Sequence, residues 1–305
     1  MKILVFGSNG LVGNSLRRAL SNDDQYEVYF STREDTNLFS QSETNSLIKS
    51  FSPDVVINAA AKVGGIHANN TYRSQFLLEN LKINMNILES CIEDSNIFII
   101  NLGSSCIYPL DSPNPIKEDY FLEGKLEPTN SPYAIAKIAS IELAQSLKIQ
   151  YGHKILNLMP TNLYGPNDNF SDKNSHVIPG LIARMHKAKM ENQKIFKVWG
   201  TGSPLREFLY VDDLADSILF LIQNSMECDL LNVGSGKEIT IKELSNLIKS
   251  TINYSGEIEF DETMPDGNPR KLLDSRKIND LGWNANVDIK QGLENTYSWF
   301  LNNYS

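Results

Sequence analysis

The 305-residue chain predicts an α/β fold: a doubly wound parallel sheet with a smaller, discontinuous C-terminal lobe. Three observations predict it. Short apolar runs alternate with helical stretches through the first half, and those runs are apolar at successive positions, which suits strands covered on both faces. A glycine-rich turn follows the first run directly. After about residue 165 the alternation gives way to polar segments interleaved with further strand-like and helical ones.

The predicted strands are "KILVF" at 2–6, "EVYFS" at 27–31, "DVVINAA" at 54–60, "IFIINLG" at 97–103 and "ILNLMPT" at 155–161. Between them, "LVGNSLRRALS", "SETNSLIKSFS", "SQFLLENLKINMNILESCIED" and "PYAIAKIASIELAQSLKIQYG" carry apolar residues at helical spacings of three and four. A further helix is predicted at about 178–191. The expected division is residues 1–165 for the sheet domain, with returning segments at about 206–235. Residues 166–205 and 236–305 mainly form the lobe, laid over the carboxyl ends of the strands, where ligands of open sheets bind.

Composition narrows the function. A net charge of −9 without a basic cluster gives no footprint for nucleic acid. No apolar run approaches the roughly 20 residues of a bilayer span, so no membrane partner is expected. Three widely spaced cysteines, Cys91, Cys106 and Cys228, argue against a disulfide framework or a metal cluster and for a reduced cytoplasm.

"GSNGLVG" sets Gly7, Gly10 and Gly13 between the first strand and the first helix, the context of a dinucleotide-binding turn. The fold is therefore expected to be Rossmann-type, with the helix N-terminus facing a pyrophosphate. The second strand ends in "STRED", where a carboxylate would bind a ribose 2′-hydroxyl. Arg33 stands there instead and suits a 2′-phosphate, so NADPH is expected over NADH, with Asp35 as the competing carboxylate.

"SPYAIAKIA" places Tyr133 and Lys137 four apart on one helical face. The ammonium should lower the phenol pKa and ready it for proton exchange with a carbonyl oxygen, which Ser104 can also hydrogen-bond. In "GSSCIYP", at 103–109, Cys106 lies two residues past Ser104 and shares its face if the chain stays extended. The thiol then looks into the same site, where it could abstract a proton beside a ketone; otherwise it is a buried core filler. Among the four histidines, His67 and His153 lie in turns and His186 along a helix, all expected to be solvated. His176, in "NSHVIPG", is the one placed to act as an acid. Its other reading is a cap for the following helix.

Taken together, "AAAKVGGI", "GSSCIYP", "EPTNSPYAIAKIA", "MPTNLYGPNDNF", "SHVIPGLI", "VWGTGSPLREFLYVDDLA" and "PDGNPRKLLD" resemble the GDP-L-fucose synthase family of extended short-chain dehydrogenase/reductases over nearly the whole chain. The resemblance implies NADPH-dependent C3/C5 epimerisation and C4 reduction of GDP-4-keto-6-deoxy-D-mannose. Ser104, Tyr133 and Lys137 would serve hydride transfer, with Cys106 and His176 as epimerising base and acid. It implies cofactor contacts at Gly7, Asn9, Gly10, Leu11, Val12, Gly13, Arg33, Asn37, Leu38, Ala60, Ala61, Lys137, Pro160, Asn162, Leu163 and His176. Sugar-nucleotide contacts would come from Ser104, Tyr133, Asn162, Arg184, Trp199, Arg206 and Lys271, the last two suited to a diphosphate. A cytoplasmic homodimer built on helices at about 75–94 and 132–150 is also implied.

The chain departs from the pattern at Ser8 and Asn9, where a His–Arg pair is common, and at Asn167 and Tyr210, where His is seen; the last two are expected near the pocket. The alternatives are the same chemistry on a GDP-4-keto heptose or a dideoxy sugar such as a colitose precursor, or a non-catalytic NADP(H) sensor on the same fold.

Overall fold

The structure is a computed structural model and describes residues 1–21, 23–171, 175–224, 228–264 and 266–304. Its first half alternates as expected: β1 (Lys2–Phe6), α1 (Leu11–Leu20), β2 (Glu27–Ser31), α2 (Gln41–Phe51), β3 (Val55–Asn58), α3 (Ile66–Thr71), α4 (Arg73–Cys91), β4 (Phe98–Leu102), α5 (Ser131–Tyr151) and β5 (Ile155–Pro160). The second half holds β6 (Asn162–Tyr164), α6 (Val177–Met190), β7 (Ile195–Trp199), β8 (Leu205–Tyr210), α7 (Val211–Gln223), β9 (Leu231–Val233), β10 (Glu238–Thr240), α8 (Ile241–Ile252), β11 (Glu257–Asp261), β12 (Arg270–Lys271), α9 (Arg276–Asp280) and α10 (Ile289–Tyr304).

Six parallel strands form the main sheet in the order β2-β1-β3-β4-β5-β9. Alternate residues of each strand enter opposite cores. Ile3, Val5, Ile57, Ile100 and Leu158 pack with Leu16, Leu214 and Ile218 of α1 and α7. Leu4, Phe6, Val56 and Ile99 pack with Ile48, Ile87, Leu88, Ala144 and Leu147 of α2, α4 and α5. Each valine, leucine, isoleucine and phenylalanine among them contributes about 1.5–3 kcal/mol when fully buried. Helix boundaries have local causes as well: the Ser40 hydroxyl accepts the Glu43 N–H to start α2, and Gly152, at φ 77°, ends α5.

The chain reverses direction across the sheet at β1, which lies between β2 and β3. That reversal opens a crevice between the loops after β1 and β3. The stretch at 205–210, expected to rejoin the main sheet, pairs instead with β6, β10 and β12 in a second sheet. Its helix α7 and strand β9 do return to the main sheet. The lobe has its own core, in which Ile178, Ile182 and Met185 of α6 meet Leu244 and Ile248 of α8 and Tyr297 and Phe300 of α10. The paired strands β7 and β11 lie against it through Phe196, Val198, Ile258 and Phe260.

Candidate active site

At the crevice, the glycine turn is set by contact. Gly7 has φ +80°, and a Cβ there would lie 2.7 Å from the backbone of Ala60 beyond β3. A Cβ at Gly13 would lie 2.3 Å from the Gly7 carbonyl oxygen. Gly10, exposed, is the N-cap of α1 with no side chain over the helix amides, and Asn9, Leu11 and Val12 complete the turn. Ser8 points away: it is fully buried and its hydroxyl donates to the Ser31 carbonyl at 2.8 Å, tying the turn to the end of β2.

Beyond β2, the Asp35 carboxylate accepts the Thr32 N–H and hydroxyl, each at 2.7 Å, and these bonds lower its pKa. Arg33 beside it is exposed. The competing carboxylate is thus already occupied, and the guanidinium is the group left to face a phosphate. Asn37 receives the Phe39 N–H through its own amide oxygen, while Leu38 packs on the core and its carbonyl accepts from Asn86. Ala60 and Ala61 follow β3. Shape and charge together fit a dinucleotide with a 2′-phosphate: a cradle that a Cβ would fill, an uncapped helix start and an exposed guanidinium with no ion-pair partner among the described residues.

Next along the carboxyl edge, Ser104 leaves β4 in extended conformation, but Ser105–Ile107 close into a 3-10 turn in which the Ser104 hydroxyl accepts the Cys106 N–H at 3.4 Å. The expected extended segment is therefore absent; the turn, opened by that hydroxyl, brings Cys106 to Ser104. The thiol is buried and its pKa rises on desolvation, opposed by Lys271, the Ser104 hydroxyl and Lys137. Tyr133 interacts with Ser104 as well, and its phenol is raised by burial and by Cys106. This corrects the expected lowering by Lys137. The lysine Nζ lies 5.9 Å from the ring centroid and donates to the Leu102 carbonyl at 2.6 Å, so desolvation prevails. Lys137 itself is pushed down to about 8 by burial. Ser104, Cys106, Tyr133, Lys137 and Lys271 thus form one electrostatically coupled group.

His176 is the N-cap residue of α6, yet its ring makes no capping bond. It is exposed while the surrounding protein lowers its pKa by desolvation, a combination that fits an open recess. Arg184, one face of α6 further on, lies 5.8 Å from the Trp199 ring centroid, and Trp199 is 62% exposed. Arg206 is desolvated beside Asp266, whose carboxylate accepts the Thr201 N–H and hydroxyl. Pro160 closes β5; Leu163 lies in β6, and Asn162 beside it donates to the Glu207 carbonyl at 2.8 Å.

The two departures expected near the pocket are each held by a partner within the fold. Tyr210 is buried against Tyr164 in the lobe core, and the Asn167 amide oxygen accepts from Arg18 at 3.0 Å. His153, expected to be solvated, is buried, and His186 pairs with the Tyr297 hydroxyl at 2.9 Å.

Sequence reading missed two supports. Asn58, Asn101 and Asn157 stand in register on β3, β4 and β5 and hydrogen-bond across at 3.2 and 2.8 Å, with Ser140 of α5 joining them. An asparagine inside each of three apolar strands was the available signal. The other is Glu207, fully buried between segments far apart in the chain.

A dinucleotide cradle at the same sheet edge as a half-buried hydroxyl and phenol and a buried amine is the arrangement of a nicotinamide-dependent oxidoreductase. The chain belongs to the NAD dependent epimerase/dehydratase family, whose model matches residues 3–234. It is similar to GDP-L-fucose synthase 1 of Arabidopsis thaliana, at 48% identity over 99% of this chain and 94% of that protein. Its identity to GDP-L-fucose synthase of Escherichia coli (strain K12) is 43%, over 99% and 97%. Among solved structures, a GDP-L-fucose synthetase from Naegleria fowleri bound to NADP superposes with a TM-score of 0.90 at 29% identity, covering 99% of this chain and 94% of that one.

Proposed function

We propose that the chain is an NADPH-dependent bifunctional enzyme that epimerises GDP-4-keto-6-deoxy-D-mannose at C3 and C5 and reduces C4, giving GDP-L-fucose. The observation that carries this reading is the meeting of Cys106 with Ser104 and Tyr133. A reductase needs only the latter two with Lys137; a thiol in the same group adds a proton-transfer agent beside the ketone. The glycine turn and Arg33 would hold NADPH, which would supply the hydride that reduces C4.

The C4 ketone acidifies the hydrogens on C3 and C5. Cys106 and His176 exchange protons there: a C–H bond breaks, its electron pair moves onto the C4 oxygen, and a proton returns on the opposite face. Ser104 and Tyr133 hydrogen-bond that oxygen while it carries charge. Burial raises the Tyr133 phenol further above neutrality, so it carries the proton required when C4 is reduced. Lys137 holds the Leu102 carbonyl and orients its positive charge behind the phenol. Arg206 faces the diphosphate, and the exposed Trp199 with Arg184 over it offers a platform for the base.

The assembly is a homodimer in the cytoplasm. Leu78 and Met85 of α4 and Ile135 and Ile149 of α5 are exposed apolar residues on two helices that pack side by side, a face suited to a second copy. Incubation with GDP-4-keto-6-deoxy-D-mannose and NADPH in D₂O tests the chemistry. Cofactor oxidation with deuterium at both C3 and C5 is expected; oxidation without label would leave a plain C4 reductase, and no oxidation would end the assignment of substrate.

A further inference from the structure

We propose that Lys271 serves the Cys106 thiol as its fixed positive neighbour, and that Glu207 is the positioning residue that holds Lys271 there. The proposal rests on the reading of Cys106 as a proton-transfer group. It differs from the expectation that Lys271 pairs with Arg206 on a diphosphate.

Strand β12 is only two residues long and meets β8 at Leu205 and Arg206, too short a ladder to fix a lysine by itself. The residues after it are tied individually. Leu272 N–H donates to the Asn114 side chain at 2.8 Å, and its carbonyl accepts the Ile116 N–H at 2.7 Å. Leu273 N–H donates to Glu207 Oε2 at 3.0 Å, and the Leu273 side chain packs in one buried cluster with Ile107 and Tyr108. Alternate residues of an extended segment leave on one side. Lys271 therefore projects as Leu273 does, toward the turn that carries Cys106.

Glu207 is fully buried and has no ion-pair partner among the described residues. A buried carboxylate of that kind is costly unless hydrogen bonds satisfy it. Here its oxygens take the Leu273 and Gly236 amides at 3.0 and 2.8 Å, with the Ser235 amide contributing, while the Thr161 hydroxyl donates to the main-chain oxygen of Glu207 at 3.3 Å. A Cβ at Gly234 would lie 2.3 Å from Oε1, so the chain closes tightly around the carboxylate. The main-chain oxygen of the same residue accepts from Asn162. One side chain thus fastens β8, the β9–β10 connection and the segment carrying Lys271.

The charged and titratable groups about the thiol are Lys271, Lys137, Ser104 and Tyr133; those about Lys271 are Cys106, Arg206 and Glu127. Of the influences opposing burial of the thiolate, Lys271 is the largest. With the ammonium in place, sulfur can accept a proton from C3 or C5 as the C–H pair moves to the C4 oxygen.

The test is the ultraviolet thiolate signal of the purified full chain against pH, assigned to Cys106 by subtracting the Cys106→Ser variant. Lys271→Met should raise the midpoint by about one unit or more, as loss of an adjacent opposite charge does, and Lys271→Arg should restore it. Glu207→Gln turns an amide N–H toward one of the two backbone donors. It should raise the midpoint also, and add nothing in the Lys271→Met background. An unmoved midpoint in Lys271→Met overturns the proposal. A Glu207→Gln variant, or Glu207→Asp should the first not fold, that melts earlier while keeping the midpoint reduces Glu207 to a purely structural residue. Retained NADPH binding reports that the sheet domain is folded. A shifted midpoint in a protein whose wild type shows no C3/C5 exchange would uphold the charge pairing and reject the proposed reaction instead.

Discussion

Gly13 and Gly10 should fail in different ways when each is replaced by alanine. At Gly13 the new methyl would lie 2.3 Å from the Gly7 oxygen, 2.4 Å from Ser8 Cα and 2.7 Å from the Ser8 carbonyl carbon. Ordinary carbon contacts are about 3.5–4.0 Å, so the turn must retreat by about 1 Å. All three atoms are backbone and cannot swing aside. Ser8 is moreover suspended from Ser31 by its amide at 3.3 Å and its hydroxyl at 2.8 Å, bonds that such a retreat stretches. Overpacking of this kind costs about 1–3 kcal/mol, which lowers the melting temperature by a few degrees in a chain of this size. At Gly10 the nearest atom is the Gly7 oxygen at 3.3 Å and φ is −80°, so alanine is accommodated once that oxygen gives by about a few tenths of an ångström, with a capping cost below about 1 kcal/mol. Its methyl does occupy the approach to the helix amides. Thermal unfolding without and with NADPH, together with a fluorescence titration, separates the two. Gly13→Ala should melt early in the free protein; Gly10→Ala should melt near wild type but gain little from NADPH. A Gly10→Ala protein stabilised by NADPH as fully as wild type would refute the placement of the pyrophosphate at α1.

Arg33→Ala should raise the KM for NADPH about tenfold or more, from loss of a charged hydrogen bond, and leave that for NADH unchanged; equal effects on both cofactors would count against a 2′-phosphate contact. Lys137, pushed down to about 8, loses its charge as pH rises through that value, so kcat/KM for NADPH oxidation should fall above it. Stability moves the other way: between about 8 and the usual 10.5 the unfolded chain binds more protons than the folded one, and unfolding free energy rises with pH. Lys137→Met should flatten that rise in a pH series of denaturant titrations. Leu78→Glu combined with Met85→Glu places two charges on the exposed face of α4, and light scattering should then find the variant monomeric and the wild type in the proposed dimer; two species of equal size would count against that interface.

What could be read in advance, and what could not, divides by the range of the interactions. Strands β1, β3, β4 and β5 were legible because a parallel strand buried on both faces is apolar at nearly every position, β2 because it is short and β-rich between two helical stretches, and the glycine turn and the Tyr133/Lys137 spacing are local patterns with local geometry. The turn at Ser105–Ile107 escaped because a single serine hydroxyl, bonding the amide two residues on, diverts a segment whose composition suits extended chain. Strand β8 escaped differently: "LREFLY" reads as a buried strand in any sheet, and its partners β6, β10 and β12 are set by register rather than composition. The phenol of Tyr133 follows the same logic, since spacing reveals the nearby ammonium but not the burial that outweighs it. Glu207 is the extreme case. Beside Arg206 it looks like half of a surface charge pair, yet the donors that satisfy it come from residues 29 and 66 positions away, and both are backbone amides with no side-chain signature. A buried acid held by amides leaves no trace in residue type except the acid itself, sitting next to one arginine in a strand apolar at its other positions. An unpaired acid in such a strand is therefore a reason to seek the segments it fastens, and here those segments carry the lysine that faces the thiol.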